Sequence, residues 1–209
     1  MASQLANSRI VATAPPTMAK RFVHLCVRRR VPITVGLLVV LLWLDGWVFH
    51  GRPRDVLNWT DPFSVAGVLL VLCGLLVRAW AAGTLRKQKQ LATSGPYAAI
   101  RHPLYFGSFL MMAGFAALGF DPKSLAIVAP PLLWLYWQAI QSEERHVARL
   151  FPVEWPSYAA TVPRLIPSRF VWPRFADWSF AQWRRNSEYQ AWIGCAIGLA
   201  CIKLWQIVK

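Results

Sequence analysis

The chain has 209 residues, of which 56% are hydrophobic and 15% are charged, and 12 of them are tryptophans. This composition excludes a disordered chain and a large multidomain enzyme, and it favours a membrane protein over an ordinary soluble domain. Lys and Arg total 23 against 9 acidic residues, a formal net charge of +14. Such an excess fits nucleic acid, anionic lipid or membrane topology, so the position of the cations along the chain has to decide between them.

Several apolar segments approach the ~20 residues that a helix needs to cross a bilayer. The pattern predicts spans over residues 32–50, 62–82, 104–120, 124–141 and 191–208. Asp61-Pro62 and Asp121-Pro122 stand before the second and fourth segments, where an acidic cap followed by Pro is typical of a helix N-terminus. The predicted fold class is all-α, a multi-pass membrane helical bundle with about five transmembrane helices.

The distribution of Lys and Arg predicts the orientation of this bundle. Residues 1–31, 83–103 and 142–190 carry 17 of these cations, whereas the connections on the other side carry four. Because cytoplasmic loops hold the cationic excess, the N-terminus and any site formed by these segments are predicted to be cytoplasmic. Topology then accounts for the charge, and the lipid bilayer rather than nucleic acid is the predicted partner. Residues 1–31 form a basic arm, for which a transit peptide is an alternative, and residues 32–209 form the membrane domain, with 142–190 as its interfacial segment.

Three charged residues lie within the predicted spans. Asp45, between Trp43 and Trp47, is predicted to reach the aromatic belt and water. Arg78 and Lys203 lie near the ends of their spans and are predicted to snorkel to the membrane surface. The four cysteines form no Cys-x-x-Cys pair, so neither a disulfide framework nor a metal site is predicted.

A polar motif, SGPYAAIRHPLYFG, occupies residues 94–107 just before and into the third predicted span. Its Gly-Pro pair indicates a turn, and a second Pro suits the first turn of the helix that follows. Arg101 and His102 beside a helix N-terminus predict an anion-binding site. A basic membrane boundary would explain Arg101, but not the flanking Tyr97 and Tyr105.

An acid pair, Glu143-Glu144, ends the fourth predicted span on the same side. A glutamate on an ordinary helix surface is stabilised by Lys or Arg four residues later, but Val147 and Ala148 occupy those positions. His146 is the one local candidate. The pair is therefore predicted to have a partner elsewhere in the fold.

Two further motifs follow, Phe-x-x-Glu-Trp-x-x-Tyr at residues 151–158 and Val-Pro-Arg-x-Ile-Pro at residues 162–167. Together with the motif at 94–107 and the acid pair, they resemble the isoprenylcysteine carboxyl methyltransferase family and its bacterial relatives, over roughly residues 65–168. The resemblance implies a membrane enzyme that uses S-adenosyl-L-methionine to methylate a lipid-like or prenylated acceptor, here the carboxylate of an isoprenylcysteine-type substrate. Phospholipid N-methyltransferases are more distant kin. A phospholipid amine or a thiol acceptor is therefore an alternative, as is a non-catalytic membrane protein that binds a ligand or acts as a scaffold.

The resemblance also implies a cofactor pocket. By position it assigns to that pocket Lys89, Gln90, Leu91, Ala92, Tyr97, His102, Pro103, Leu104, Tyr105 and Glu143. The cofactor presents a carboxylate, an ammonium, ribose hydroxyls, adenine and a sulfonium. Arg101 and helix N-terminal amides suit the carboxylate, Glu143 or Glu144 suits the ammonium or ribose, and a tyrosine ring suits the sulfonium or adenine.

The acceptor side of the predicted site is less complete. Eukaryotic members of the family have an Arg four residues before the matching Glu that contacts the substrate, and this chain has Ala139 there. Arg184 and Glu188, spaced i to i+4 just before the last predicted span, are predicted to close the acceptor entrance as catalytic residues. Arg184 would then replace the missing cation.

Overall fold

The computed structural model describes residues 29–49, 51–86, 90–167 and 177–208, together with positions 18, 23, 25 and 26. Seven α-helices occupy this part of the chain: α1 (Arg30–Trp43), α2 (Pro62–Thr84), α3 (Pro103–Gly119), α4 (Pro122–Leu150), α5 (Glu154–Thr161), α6 (Phe180–Arg185) and α7 (Tyr189–Val208). A π-helical turn, Leu44–Val48, continues α1, and a 3₁₀ turn, Gly95–Ala98, precedes α3. The described ranges contain no β-strand. The predicted all-α class is confirmed for them.

The described part of each predicted span is helical, apart from Phe49 and Phe120 at the ends of the first and third spans. The bounds differ most in the fourth, because α4 continues well past residue 141, through the acid pair, to Leu150. Residues 142–150 contain no Gly or Pro, so the polar residues that end the apolar pattern do not end the helix. α2 and α7 are long and apolar enough to cross a membrane, whereas Gly36–Val48 and α3 are shorter apolar helices. The apolar helices indicate a membrane protein, and the count of five spans stays a prediction.

The predicted Asp-Pro helix starts are confirmed. The side chain of Asp61 accepts hydrogen bonds from the backbone N–H of Phe63 at 3.2 Å and from the hydroxyl of Ser64 at 2.8 Å. Asp121 accepts from the backbone N–H of Lys123 at 2.8 Å. Each aspartate satisfies a backbone donor that its helix leaves free, with Pro as the first helical residue.

α2 and α3 pack closely through two pairs of glycines. A Cβ on Gly74 would lie 2.5 Å from the carbonyl oxygen of Gly107, and one on Gly114 would lie 2.5 Å from the carbonyl oxygen of Gly67. On each helix the two glycines are seven residues apart, so they lie on one face of that helix. Val71, between the two contacts on α2, is completely buried. Small residues thus set the spacing of two of the helices that line the site described below.

Two ionisable residues in predicted spans have protein partners. Asp45 is completely buried and accepts hydrogen bonds from the backbone N–H of Asp121 at 2.6 Å and from the hydroxyl of Ser124 at 3.2 Å. The prediction that Asp45 reaches water is therefore wrong, because the start of α4 packs against it. Lys203 binds Asp55, in the connection between residues 51 and 61, at 2.6 Å, and its snorkelling to the membrane surface stays a prediction.

Candidate active site

A cavity of about 750 Å³ opens at one end of the bundle. We call this the cavity end; there α2 and α4 finish and α3 and α7 begin. We call the other end, with the connections at residues 51–61 and 120–121, the opposite end. The walls of the cavity come from the end of α2, the loop of residues 90–102, the first turns of α3, the second half of α4, α5 and the segment just before α7, with one residue, Thr34, from α1. Its volume lies within the ~300–1,000 Å³ that is typical of small-molecule sites.

Most of the predicted site residues line this cavity. They are Gln90, Leu91, Ala92, Tyr97, Arg101, His102, Pro103, Leu104, Tyr105, Glu143 and Glu188. Two predicted residues do not line it: Glu144 and Arg184. Lys89 lies outside the described residues. The structure thus brings together, from three separate segments, residues that the sequence motifs singled out.

Tyr97 contributes a buried hydroxyl to the cavity wall. It lies in the 3₁₀ turn, which Gly95 opens with a φ of +59°, a conformation that favours glycine. Tyr158 donates a hydrogen bond to the carbonyl oxygen of Tyr97 at 2.8 Å and so holds the turn against α5. The Tyr97 hydroxyl has no partner among the described residues. Burial raises the pKa of Tyr97 well above its usual value, so the group is a neutral phenol that can donate to a ligand.

Glu144 is the centre of an ionic cluster behind the wall. Its carboxylate binds Arg101 at 2.8 Å, His102 at 3.2 Å and Arg164 at 3.0 Å. The backbone N–H groups of Arg101 and His102 also donate to the carbonyl oxygens of Pro163 and Arg164, at 2.8 and 3.1 Å. The predicted distant partner of the acid pair is thus found for Glu144, and the cluster ties the end of α4 to both motif-bearing loops.

The charges within this cluster follow from its burial and contacts. Burial disfavours the charged form of Glu144, but hydrogen bonds from Arg164 and His102 and the charge of Arg101 outweigh it and lower the pKa of the carboxyl. Burial is also the main cause that lowers the pKa of His102, against the charges of Glu143 and Glu144. At pH 7 His102 is therefore neutral, and its Nε2 carries the hydrogen that Glu144 accepts.

Glu143, the neighbour of Glu144, faces the cavity instead. Its side chain is exposed, lines the cavity, and has no hydrogen bond or ion pair to any other described residue. Because successive helical residues are rotated by about 100°, one member of the pair meets the ionic cluster while the other meets the open space. Glu143 is thus a carboxylate free to bind a ligand. Its charge acts on Tyr97 and His102.

Arg78 and Glu188 form an ion pair on the cavity wall. Nε of Arg78 lies 2.7 Å from one carboxylate oxygen of Glu188, and Nη2 lies 3.0 Å from the other. Nη1 of Arg78 donates to the hydroxyl of Ser108 at 2.7 Å. The prediction that Arg78 snorkels to the membrane surface is wrong, because a carboxylate from the other end of the chain binds it within the bundle.

The segment before α7 brings Glu188 to the cavity. Asn186 and Gln182 donate side-chain hydrogen bonds of 2.7 Å to carbonyl oxygens at the end of α2, which the helix leaves unpaired. Trp178 donates a further hydrogen bond to the carbonyl oxygen of Ala79, within the last two turns of α2, at 3.1 Å. Arg184, on α6, is exposed and stands away from the cavity wall. Glu188 and Arg184 therefore occupy different surroundings, although one helical turn separates them in sequence.

Several residues of the cavity or the ionic cluster were not predicted as site residues from the sequence, among them Arg78, Ser108 and Arg164. The one available signal was that an ionisable residue inside a span is a functional candidate by default. No local pattern links Arg78 to Glu188, which is 110 positions away. Arg164 belongs to a predicted motif, but its partner, Glu144, lies 20 positions earlier, on α4.

Comparisons with known proteins show what the chain resembles. Residues 63–154 match the family profile of phospholipid methyltransferases. The chain is 28% identical over 203 residues to the cobalt-zinc-cadmium resistance protein CzcN of Cupriavidus metallidurans, covering 95% of this chain and 91% of that protein. It is 30% identical over 144 residues to the nickel-cobalt-cadmium resistance protein NccN of Alcaligenes xylosoxydans xylosoxydans, covering 66% of this chain and 62% of that protein. No solved structure matches the chain.

The region of the family match carries most of the cavity wall. It includes α2, the loop of residues 90–102, α3 and α4. Among the described residues, no group of three or more His, Cys, Asp or Glu side chains is placed to hold a metal ion. The region that builds the cavity is thus similar to phospholipid methyltransferases, and the match indicates a methyltransferase of the membrane.

Proposed function

We propose that this protein is a membrane methyltransferase that uses S-adenosyl-L-methionine and methylates a lipid-like or prenylated acceptor. The observation that supports this most is the convergence of the motif at residues 94–107, Glu143 and Glu188 on one cavity. The match of residues 63–154 to phospholipid methyltransferases supports methyl transfer as the chemistry. Motif residues that merely marked a membrane boundary would have no reason to share a cavity.

The residues present fit the cofactor. When bound, S-adenosyl-L-methionine supplies an electrophilic methyl group, whose bond to the sulfonium sulfur breaks, with the electron pair staying on sulfur, as the acceptor bonds to the methyl carbon. Two buried donors on the wall, the Tyr97 hydroxyl and Nε of Arg101, have no partner within the described residues. Glu143 is a free carboxylate beside them. Arg101 suits a carboxylate, Glu143 an ammonium or a ribose hydroxyl, and Tyr97 a further acceptor atom.

Other predicted residues take supporting roles in this proposal. Gln90, Leu91 and Ala92 line the cavity beside the motif, and Lys89 is assigned to the same cofactor segment by its sequence position. Glu144 acts as a positioning residue, because it holds Arg101 and His102 without lining the cavity. Positioning contributes much of the rate in such a displacement, up to ~7 to 11 kcal/mol in well-oriented systems.

The chemical class of the acceptor is a separate part of the proposal. Resemblance to the isoprenylcysteine enzymes favours O-methylation of a carboxylate, which has no proton to lose. The phospholipid family match favours an amine, and a thiol is a further alternative; either must give up a proton, so activity would rise with pH through its ionisation. Arg184 is retained as a candidate at the acceptor entrance on sequence grounds alone.

Cofactor binding gives the direct test. In detergent-purified full-length protein, His102→Ala and Glu143→Ala should weaken binding of S-adenosylhomocysteine, measured by calorimetry. Loss of one hydrogen bond to a charged group costs ~1.5 to 3 kcal/mol, or roughly 10- to 150-fold in affinity. Glu154→Ala is the matched control, because Glu154 is an exposed glutamate that does not line the cavity. Wild-type affinity in both cavity variants would contradict the cofactor assignment.

Turnover separates the proposal from the non-catalytic alternative. Purified protein, S-adenosyl-L-methionine and membrane extracts are incubated, and mass spectrometry searches lipid and thiol species for the gain of one methyl group. A methylated product, absent when Glu143→Ala protein is used, is expected. Binding of S-adenosylhomocysteine without turnover of any extract would instead favour a ligand-binding or scaffold protein.

A further inference from the structure

The charged cluster around Arg78 lies deeper in the bundle than the loop of residues 90–102. Arg78 stands about two helical turns before the end of α2. Glu188 binds its Nε and Nη2, while Nη1 donates to Ser108 and, at 3.3 Å, to the carbonyl oxygen of Leu104. The guanidinium is therefore held by groups from α3 and from the residue before α7, and its orientation is defined on three sides.

This guanidinium keeps one donor available. It has five N–H groups, and four of them bind partners within the described residues. The remaining N–H belongs to Nη2. The Arg78 side chain is 23% exposed and that of Glu188 only 4%, and both residues line the cavity. The accessible part of the pair is thus the cation, with one N–H free for a molecule in the cavity.

A contribution to the stability of the fold does not by itself explain the Arg78–Glu188 pair. Moving two charged groups out of water costs free energy that offsets much of their mutual attraction. A well-packed pair of apolar side chains is therefore often at least as stable. The backbone is nevertheless adapted to Arg78, because a Cβ on Gly107 would come 2.6 Å from its Cγ. A planar, pre-oriented guanidinium with a free N–H is suited to the oxygen of a carboxylate or phosphate.

The surroundings of Arg78 fit the apolar part of an acceptor. Leu104, Leu135 and Ala139 line the same cavity. Ala139 stands where the eukaryotic enzymes that the chain resembles carry their substrate-contacting Arg. A cation from α2 therefore lines the same cavity as the α4 position at which those enzymes carry a cation.

We propose that Arg78 is the specificity-determining residue for the acceptor. Its remaining Nη2 donor binds an oxygen of a carboxylate or phosphate on the lipid-like molecule, and Glu188 and Ser108 are positioning residues that fix the guanidinium. This assignment rests on the proposed function, since it names how the same cavity selects its acceptor. Because Glu188 neutralises the cation, recognition depends on hydrogen-bond geometry more than on charge, and lysine cannot replace arginine.

Direct binding of three amphiphiles tests the assignment. Calorimetry on the full-length protein in detergent uses N-acetyl-S-farnesylcysteine as the carboxylate, lysophosphatidylethanolamine as the phosphate, and dodecylamine as the probe without an oxyanion. Arg78→Lys keeps a charge opposite Glu188 but loses the guanidinium. At least one oxyanion probe should bind wild-type protein and bind this variant roughly 10- to 100-fold more weakly. The affinities for dodecylamine and S-adenosylhomocysteine should stay within about twofold.

Two further variants separate recognition from folding. The double change Arg78→Leu with Glu188→Leu removes both charges and leaves no unpaired ion, so the oxyanion probe should lose affinity in a protein that still melts cooperatively. Lys203→Met is the matched control, because it breaks an ion pair of 2.6 Å with Asp55 at the opposite end. That control should bind every probe like the wild type.

The outcomes are distinct. Failure of both oxyanion probes to bind the wild type, unchanged affinity in both Arg78 variants, or an equal loss for dodecylamine overturns the role of Arg78. Which oxyanion probe responds tells a carboxylate acceptor from a phospholipid. Wild-type protein that binds an Arg78-dependent oxyanion probe but not S-adenosylhomocysteine contradicts the methyltransferase proposal and leaves the oxyanion site in place.

Discussion

The acidic residues at the two ends of the bundle have different kinds of partner. At the opposite end, Asp61 and Asp121 bind backbone N–H groups two residues ahead in sequence, and Asp55 binds the N–H of Leu57 as well as Lys203. At the cavity end, Glu144 and Glu188 bind cations that are at least 20 positions away, and Glu143 has no partner among the described residues.

This difference between the two ends indicates which end is suited to bind a ligand. Three buried side-chain atoms in the described part of the chain lack a partner: Oδ2 of Asp45, the Tyr97 hydroxyl and Nε of Arg101. Two of them belong to residues that line the cavity. A buried polar group without a partner costs free energy, so a pair of them at one cavity, beside a free acid, indicates groups awaiting a ligand. The opposite end mainly closes the helical connections.

The largest expected difference between the ends is their side of the membrane. We predict that the cavity end faces the cytoplasm. In intact cells, Ser94→Cys, in the loop beside the cavity, should not react with an impermeant thiol reagent, whereas Leu57→Cys at the opposite end should react fully. Both are made in a background without the four native cysteines. Labelling of Ser94→Cys from outside would reverse the predicted topology.

The next largest effect separates the two members of the acid pair. Glu144→Ala leaves Arg101, His102 and Arg164 without their shared carboxylate, which should cost about 3–5 kcal/mol of unfolding free energy. Glu143→Ala should change stability by no more than ~0.5 kcal/mol, because it breaks no contact in the described structure. Thermal unfolding followed by tryptophan fluorescence measures both. Equal melting temperatures would refute the division into a structural and a ligand-facing acid.

A smaller effect on the free energy of unfolding is expected for the glycine contact between α2 and α3, the helices that connect the two ends. Gly74→Ala places a Cβ against the backbone of α3 and should cost about 1–3 kcal/mol through overpacking. Gly36→Ala is the matched control on α1, where nothing lies within 4 Å of an added Cβ, and it should stabilise by up to ~1 kcal/mol. The same unfolding assay applies. A tolerated Gly74→Ala would mean that the close α2–α3 contact is not required.

The sequence by itself determined the long apolar helices and their order. Apolar run lengths located the five long helices, and Asp-Pro pairs located the first turns of α2 and α4, because caps and hydrophobic periodicity act within a few residues. Most of the site residues that the ordered motifs predicted also line the cavity. The end of α4 escaped prediction, since polar residues stop an apolar pattern without stopping a helix.

Only the tertiary structure decided which polar groups neutralise one another. Glu143 and Glu144 are equivalent in sequence, and it is the rotation of α4 against two loops that gives Glu144 three cations and leaves Glu143 facing the cavity. Arg78 likewise reads as a boundary cation until α7 brings Glu188 to it across 110 positions. Long-range ion pairs leave no local pattern, because their energy depends on distances that packing sets.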